Sequence, residues 1–255
     1  MSTTSSTHLI LIPSFNTGLR VLDTVSEARN QWGPVWVVVD GSTDGSAEAL
    51  LEMQKTDDGL RVLVLPRNRG KGAAVYYGLR QAAIHGFTHV LTMDADGQHP
   101  AASVREFMRA SQDTPEAMIL GKPVFDETAP QIRVRGRRIS NWWANLETLW
   151  YGIGDSLFGL RVYPVEPLLR IMSSTRWMRR FDFDAEAVVR LAWEGVPVRN
   201  MNAPVVYLKP DEGGVSHFRY VRDNALLAWM HTRLMFGFLL RLPRLAWRML
   251  SRRRR

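Results

Sequence analysis

Cysteine is absent from the 255-residue chain, so disulfide scaffolds, thiolate zinc sites and cysteine nucleophiles are excluded. That absence fits a cytoplasmic protein. The opening Met1-Ser2-Thr3-Thr4-Ser5-Ser6-Thr7 has neither a basic stretch nor an apolar core, and does not read as a secretory signal. Several signature loops are missing too. No Gly-x-Gly-x-x-Gly follows the first apolar run, and Gly70-Lys71-Gly72 lacks the spacing of a P-loop. Neither a Gly-x-Ser-x-Gly elbow nor His-Glu-x-x-His occurs. No internal repeat is visible, and no linker divides the chain.

What is present is an ordinary folded composition, 45% hydrophobic and 23% charged, with length for one large domain or one domain and an appendage. The formal net charge of +8 is unevenly placed. Residues 219–255 hold ten arginines against one acid, Asp223, which leaves residues 1–218 at −1. The basic character belongs to a tail, so no nucleic-acid-binding face spread over the fold is expected.

Apolar runs alternate with helical stretches along the first half. His8-Leu9-Ile10-Leu11-Ile12-Pro13, Val35-Trp36-Val37-Val38-Val39, Arg61-Val62-Leu63-Val64-Leu65 and Val90-Leu91-Thr92 read as strands, and Met118-Ile119-Leu120 as a short fifth. Helices are predicted over residues 19–29, after the Asp40-Gly41-Ser42-Thr43-Asp44-Gly45-Ser46 turn, and from Gly70 to about Ala83. This alternation implies an α/β fold with a doubly wound, mostly parallel, Rossmann-like sheet. The second half is less regular. Residues 140–151 and 184–194 look helical, Val196-Pro197-Val198 and Val205-Val206-Tyr207 look like short strands, and residues 123–138 and 211–217 read as loops.

Chemistry concentrates where strands stop. Met93-Asp94-Ala95-Asp96-Gly97-Gln98-His99-Pro100 puts two carboxylates one residue apart at the end of a buried strand. Two acids there repel and lose solvation unless a cation joins them, and oxygen donors suit Mg2+ or Mn2+, which also hold substrate phosphates. Pro13-Ser14-Phe15-Asn16 and Asp40-Gly41-Ser42 end two other strands, and in a doubly wound sheet such tips share one edge.

Leu11-Ile12-Pro13-Ser14-Phe15-Asn16, Val38-Val39-Asp40-Gly41-Ser42-Thr43-Asp44-Gly45, Asn68-Arg69-Gly70-Lys71-Gly72-Ala73-Ala74 and the Asp94-Ala95-Asp96 run occur in one order. Together they resemble family-two glycosyltransferases, most of all the polyprenol-phosphate sugar, or dolichol-phosphate mannose synthase-like, branch. Phe181-Asp182-Phe183-Asp184-Ala185-Glu186 extends the likeness to about residue 208. The resemblance implies a GT-A fold, a nucleotide-sugar donor, a divalent metal (Mg2+ or Mn2+) and inverting transfer. Carried over by position, Pro13 and Phe15 would border the base, Asp40 would contact the nucleoside, and Asp94 with Ala95 would hold the nucleotide side. Asp96 and Gln98 would ligate the metal, and Asp96 would serve catalysis. Lys71 and Lys122 join the expected substrate contacts. Three positions differ from the family's usual residues: Val39 replaces an acid, Phe15-Asn16-Thr17 stands for Tyr-Asn-Glu, and Gly121-Lys122-Pro123 for Gly-Ser-Arg.

Asp182, Asp184 and Glu186 are candidate bases for a hydroxyl acceptor, with Asp184 chosen as catalytic and at least two of the three expected to be structural. A phosphate acceptor needs no base, and Arg133, Arg135, Arg137 and Arg138 form a basic cluster fit to grip one. His217, after Gly213-Gly214, is expected to donate to the diphosphate. In the tail, no charge-free stretch reaches the roughly 18 residues a spanning helix needs. The chain is therefore expected to divide into a transferase domain, residues 1–217, and a basic amphipathic helical tail, residues 218–255. That tail would hold the protein peripherally on the inner face of the cell membrane, facing a lipid-linked or hydrophobic acceptor. A sugar-phosphate nucleotidyltransferase and a non-enzymatic basic membrane adaptor are the alternatives. The first lacks its usual glycine-rich basic loop after the first strand, and the intact Asp94-Ala95-Asp96 run speaks against the second.

Overall fold

The computed structural model describes residues 3–97, 101–125, 131–205 and 220–253. In chain order the elements are β1 (Thr3–Thr4), β2 (His8–Ser14), α1 (Arg20–Gln31), β3 (Trp32–Gly33), β4 (Val35–Asp40), α2 (Ser46–Gln54), β5 (Leu60–Leu65), α3 (Lys71–Ile84) and β6 (His89–Thr92). There follow α4 (Val104–Asp113), β7 (Met118–Val124), α5 (Gln131–Leu146), β8 (Arg161–Pro164), α6 (Val165–Ser173), α7 (Phe183–Glu194), β9 (Val198–Pro204) and α8 (Tyr220–Arg253).

Seven of the described strands form one sheet in the order β5-β4-β2-β6-β8-β7-β9. Strands β5, β4, β2 and β6 run parallel, while β8 is antiparallel to both β6 and β7. Side chains alternate faces along each strand. Leu9, Leu11, Trp36, Val38 and Val90 meet Val75 and Leu79 of α3, Leu168 of α6 and Val188 of α7 on one face. Ile10, Ile12, Val37, Val39 and Leu91 meet Val21 and Val25 of α1, Leu50 of α2 and Phe107 of α4 on the other. Both faces are covered, which is why these strands read as unbroken apolar runs. The mostly parallel α/β sheet is the one the alternation predicts.

The second half departs from the sequence reading. Strand β8 was not expected, because its first residue, Arg161, is a fully buried charge that breaks the apolar signature. Helices α4 and α6 were not expected either. The helix placed at residues 140–151 is Gln131–Leu146, so the expected loop over 123–138 gives way to the end of β7 and the first half of α5. Leu149 and Trp150, at φ 51° and 53°, turn the chain before Tyr151. One strand, Val198–Pro204, stands in place of Val196-Pro197-Val198, while Val206 and Tyr207 of the second expected strand lie outside the described residues. Residues 206–219, which include His217, lie outside the described residues.

Helix α8, 34 residues long, is integrated with the domain along one face. Met230, Leu234, Phe238 and Leu245, spaced for one helical stripe, are buried in the core cluster that holds α3 and α7. Val221–Ser251 is also long and apolar enough, by length and composition, to cross a membrane, and 22% of its most apolar stretch is buried inside the protein. The charge-interrupted tail thus passes a spanning test that its charge-free stretches alone do not meet.

At the start of β2 and β6, His8 and His89 are paired in register and stack 4.4 Å apart. His8 hydrogen-bonds Ser111 Oγ and Thr7 Oγ1. Burial, with the neighbouring His89 second, lowers the His8 pKa from 6.5 to about 4. The unfolded chain then binds more protons than the folded one between those values, so His8 contributes stability that is lost as pH falls through this window. His8→Gln should flatten the loss of urea-unfolding free energy between pH 6.5 and 4. An unchanged slope would mean that other groups drive acid unfolding.

Candidate active site

Three strand tips gather at one edge, stitched by hydrogen bonds. The Asn16 amide donates to Ser42 Oγ at 3.0 Å, and Asn16 Oδ1 accepts the Thr43 amide at 2.8 Å. The Gly18 amide donates to Asp44 Oδ2 at 2.7 Å, while Asp44 Oδ1 takes the Ser46 amide at the start of α2. The loops after β2 and β4 therefore form one surface. Pro13 and Phe15 are half-buried on it. Asp40, buried at the end of β4, accepts the amides of Arg69 (2.9 Å) and Gly70 (2.7 Å). Burial pushes its carboxyl pKa up, against those amides and the Arg180 and Arg69 charges. Its carboxylate thus holds the turn that starts α3, a role beyond the nucleoside contact expected of it.

That turn presents Lys71. Its Nζ lies 2.7 Å from Asp94 Oδ1, beyond the end of β6, and 2.7 Å from Asp184 Oδ2, in the first turn of α7. Burial alone would lower the lysine pKa, but the two carboxylates overcome it and raise the value. Asp184 Oδ1 is buried with no hydrogen-bond partner among the described residues. The two acids that the sequence places ninety residues apart are brought together by one ammonium.

Sequence reasoning missed the segment beneath them, residues 155–163. Arg161 Nη1 donates to the Asp184 carbonyl and to Tyr163 Oη, and Nη2 to the Asp155 carbonyl. Asp155, almost fully buried, receives Arg137, Asn141 and the amides of Leu157 and Phe158. A methyl built on Gly159 would stand 2.4 Å from Asp94 Oδ2, so only glycine lets Asp94 sit where it does. An Asp, a Gly and an Arg within seven residues were the available signal, but no periodicity marks them as a strand.

The other candidates separate. Ala95 is buried, its carbonyl accepting Thr24 Oγ1 at 3.4 Å, and Asp96 is half-buried in the turn that follows. Asp182 accepts the amides of Met178 and Arg180, and Glu186 is held by Arg190 and Arg233, so both acids have structural partners. Lys122 is exposed on β7, and Arg138 is exposed on α5 rather than in a loop. Within the expected basic cluster, Arg137 is committed to Asp155 at 2.6 Å. Gln98 and His217 lie outside the described residues. A cleft of about 770 Å³ lined by Phe87, His89, Pro115 and Val165 opens at the opposite ends of the strands and contains none of these residues.

Among the described residues no group of three or more His, Cys, Asp or Glu gathers to hold a metal. The chemistry of the site still fits one. Mg2+ and Mn2+ are commonly held by one or two carboxylates with substrate phosphates completing the shell, and Asp94 and Asp96 supply oxygen donors at a single turn.

Paired acids and a lysine at the strand tips lie where open α/β sheets bind their ligands. The sequence profile of glycosyl transferase family 2 matches residues 9–185, and the chain belongs to that family. It is a glycosyltransferase. Two curated relatives of low identity are instructive. The polyprenol monophosphomannose synthase of Mycolicibacterium smegmatis is 25% identical over 211 residues, 80% of this chain and 78% of that protein. The UDP-N-acetylglucosamine–dolichyl-phosphate N-acetylglucosaminyltransferase of Methanococcus voltae is 21% identical over 196 residues, 71% and 78% of the two chains. Among solved structures, glucosyl-3-phosphoglycerate synthase from Mycobacterium tuberculosis, in complex with Mn2+, UDP-glucose and phosphoglyceric acid, superposes with a TM-score of 0.62 at 16% identity. That match covers 91% of this chain and 79% of the other, and shows the GT-A fold.

Removing the ammonium leaves two carboxylates facing each other with little solvent. Lys71→Met should cost roughly 3 kcal/mol of folding stability near neutral pH. The deficit should shrink at pH 5, where an unpaired carboxylate takes up a proton more readily. Urea unfolding at pH 7.5 and pH 5 measures this, and an equal deficit at both would contradict the bridge.

Proposed function

We propose that this chain moves a sugar from a nucleotide-sugar donor to a lipid-linked phosphate or similar hydrophobic acceptor, with Mg2+ or Mn2+ and with inversion at the sugar carbon. The observation that carries the reading is the Lys71 bridge between Asp94 and Asp184, set where the strand tips of a family-two chain converge. The acceptors named for the Mycolicibacterium and Methanococcus relatives, a polyprenol phosphate and a dolichyl phosphate, support the acceptor class. The Mn2+ and UDP-glucose of the Mycobacterium structure support donor and metal.

In this reading the loops after β2 and β4, with Pro13, Phe15 and Asp40, border the nucleoside, and Asp94 and Lys71 face the diphosphate. Asp96 and Gln98 would hold the metal, whose charge would offset that of the departing nucleoside diphosphate. The acceptor oxygen forms its bond to the sugar carbon on the face opposite the leaving nucleoside diphosphate. The carbon–oxygen bond to phosphate breaks, and its electron pair leaves with the diphosphate. A phosphate acceptor is already ionised, and the exposed Arg135 and Arg138, with Lys122, supply cations for it. For a hydroxyl acceptor, Asp184, whose buried Oδ1 has no hydrogen-bond partner among the described residues, is the candidate base. His217 remains the proposed donor to the diphosphate.

Incubation with a panel of nucleotide sugars and Mn2+ or Mg2+ tests the proposal. At least one donor should release nucleoside diphosphate, and Asp96→Asn should lower that release at least a hundredfold. Saturable binding and release with no donor would sink it. Pyrophosphate as product would instead favour a nucleotidyltransferase.

Helix α8 supports a reading of membrane association. Opposite its packed stripe it exposes Trp229, Phe236 (68%), Leu240 (83%) and Trp247 (73%), beside the exposed Arg222 and Arg244. Because the same helix is packed on the domain, it is read as lying on the membrane rather than crossing it. Phe236→Ser, Leu240→Ser and Trp247→Ser combined should weaken binding to phosphatidylglycerol vesicles at least tenfold while leaving the melting temperature within about 2 °C, since all three face solvent. Unchanged flotation would remove the membrane from the account.

A further inference from the structure

The arginines of α8 are not all surface charge. Arg233 reaches across to the segment that carries Asp184: its Nη2 lies 2.9 Å from Glu186 Oε2, its Nη1 3.2 Å from Glu186 Oε1, and its guanidinium 4.1 Å from the centre of the Trp177 ring. Asp182 Oδ2 is 3.9 Å away. Arg233 therefore touches the chain on both sides of Asp184, two residues before it and two after. Glu186 is fully buried, and Arg190 supplies its second cation at 2.7 Å.

The held segment is also the floor of the lysine turn. The Ala73 amide donates to the Arg179 carbonyl at 2.9 Å. A methyl on Gly70 would meet that same carbonyl at 2.5 Å, and one on Gly72 would meet the Met178 carbonyl at 2.3 Å. Residues 178–180 and 70–73 are in backbone contact, so a shift of one displaces the other. Farther along, Arg241 sits 4.8 Å from the centre of the Trp193 ring, and Arg248 Nη1 donates to the Trp193 carbonyl at 2.9 Å, at the end of α7. Helix α8 grips α7 at both ends.

We propose that Arg233 is a positioning residue for the Lys71–Asp184 pair, so that the seat of α8 on the domain sets the geometry of the active site. The inference rests on the site reading given above. It gives the helix that faces lipid a direct mechanical connection to the acid that faces substrate. Glu186 is the connecting group: its carboxylate is bound from α8 and its backbone lies in the same helical turn as Asp184.

The test compares Arg233→Gln, Arg233→Lys and the wild-type chain. Donor turnover and amide hydrogen exchange are measured well below each protein's melting temperature. Arg233→Gln should lower kcat at least tenfold with donor KM within about twofold, because the donor's nucleoside side is untouched. Exchange should accelerate in residues 70–73 and 178–187 but not in α4. Arg233→Lys should recover part of kcat, since it restores the charge without the two-pronged contact. Unchanged exchange in those two segments would overturn the proposal, as would wild-type kcat in a variant whose only defect is a lower melting temperature. If the wild-type chain turns over no donor, the site reading fails, and the exchange comparison still decides whether Arg233 positions the pair.

Discussion

The structure depends on keeping two acids close in a place with little water. Asp94 ends a central strand and Asp184 begins a helix from the other half of the chain, and Lys71 lies 2.7 Å from each. Without an intervening cation such a pair repels and loses solvation on folding, so the lysine is a condition of the arrangement. Much of the surrounding architecture serves that geometry. Asp40 fixes the turn that bears Lys71, Arg161 holds the Asp184 carbonyl, and Gly159 leaves room for the Asp94 carboxylate. Arg233 braces the segment from outside through Glu186. The same charged groups that make the site costly to fold are the ones the proposed reaction uses.

Helix α8 has two unlike faces. Its inner stripe, Met230, Leu234, Phe238 and Leu245, completes a hydrophobic core. Its arginines divide likewise: Arg233, Arg241 and Arg248 turn to α7, while Arg222 and Arg244 are exposed. Counting tail charge as membrane affinity therefore overstates it. The apolar outer face is the stronger argument for lipid.

The first half of the chain was legible because its physics is local. Runs such as Leu9-Ile10-Leu11-Ile12 and Val35-Trp36-Val37-Val38-Val39 are buried on both faces, and acids such as Asp40 and Asp94, at or just past the end of a strand, stand out against that background. The second half was not, because its signals depend on contacts far apart in sequence. Strand β8 hides behind Arg161, whose burial makes sense only once the Asp184 carbonyl is beside it. Arg137 looked like one of four loop cations, yet it belongs to a helix and to Asp155. Glu186 and Asp182 were indistinguishable from Asp184 in sequence, and only their partners tell the three apart.

The most direct test of the central claim is a double-mutant cycle on Lys71→Met and Asp184→Asn, read by urea unfolding and by donor turnover. If one ammonium joins the two halves of the site, each single change should remove most of what the pair contributes. The double variant should then be little worse than either, with a coupling of at least about 1 kcal/mol. Effects that simply add would show that Lys71 and Asp184 act independently, and the bridge could not be what organises the site.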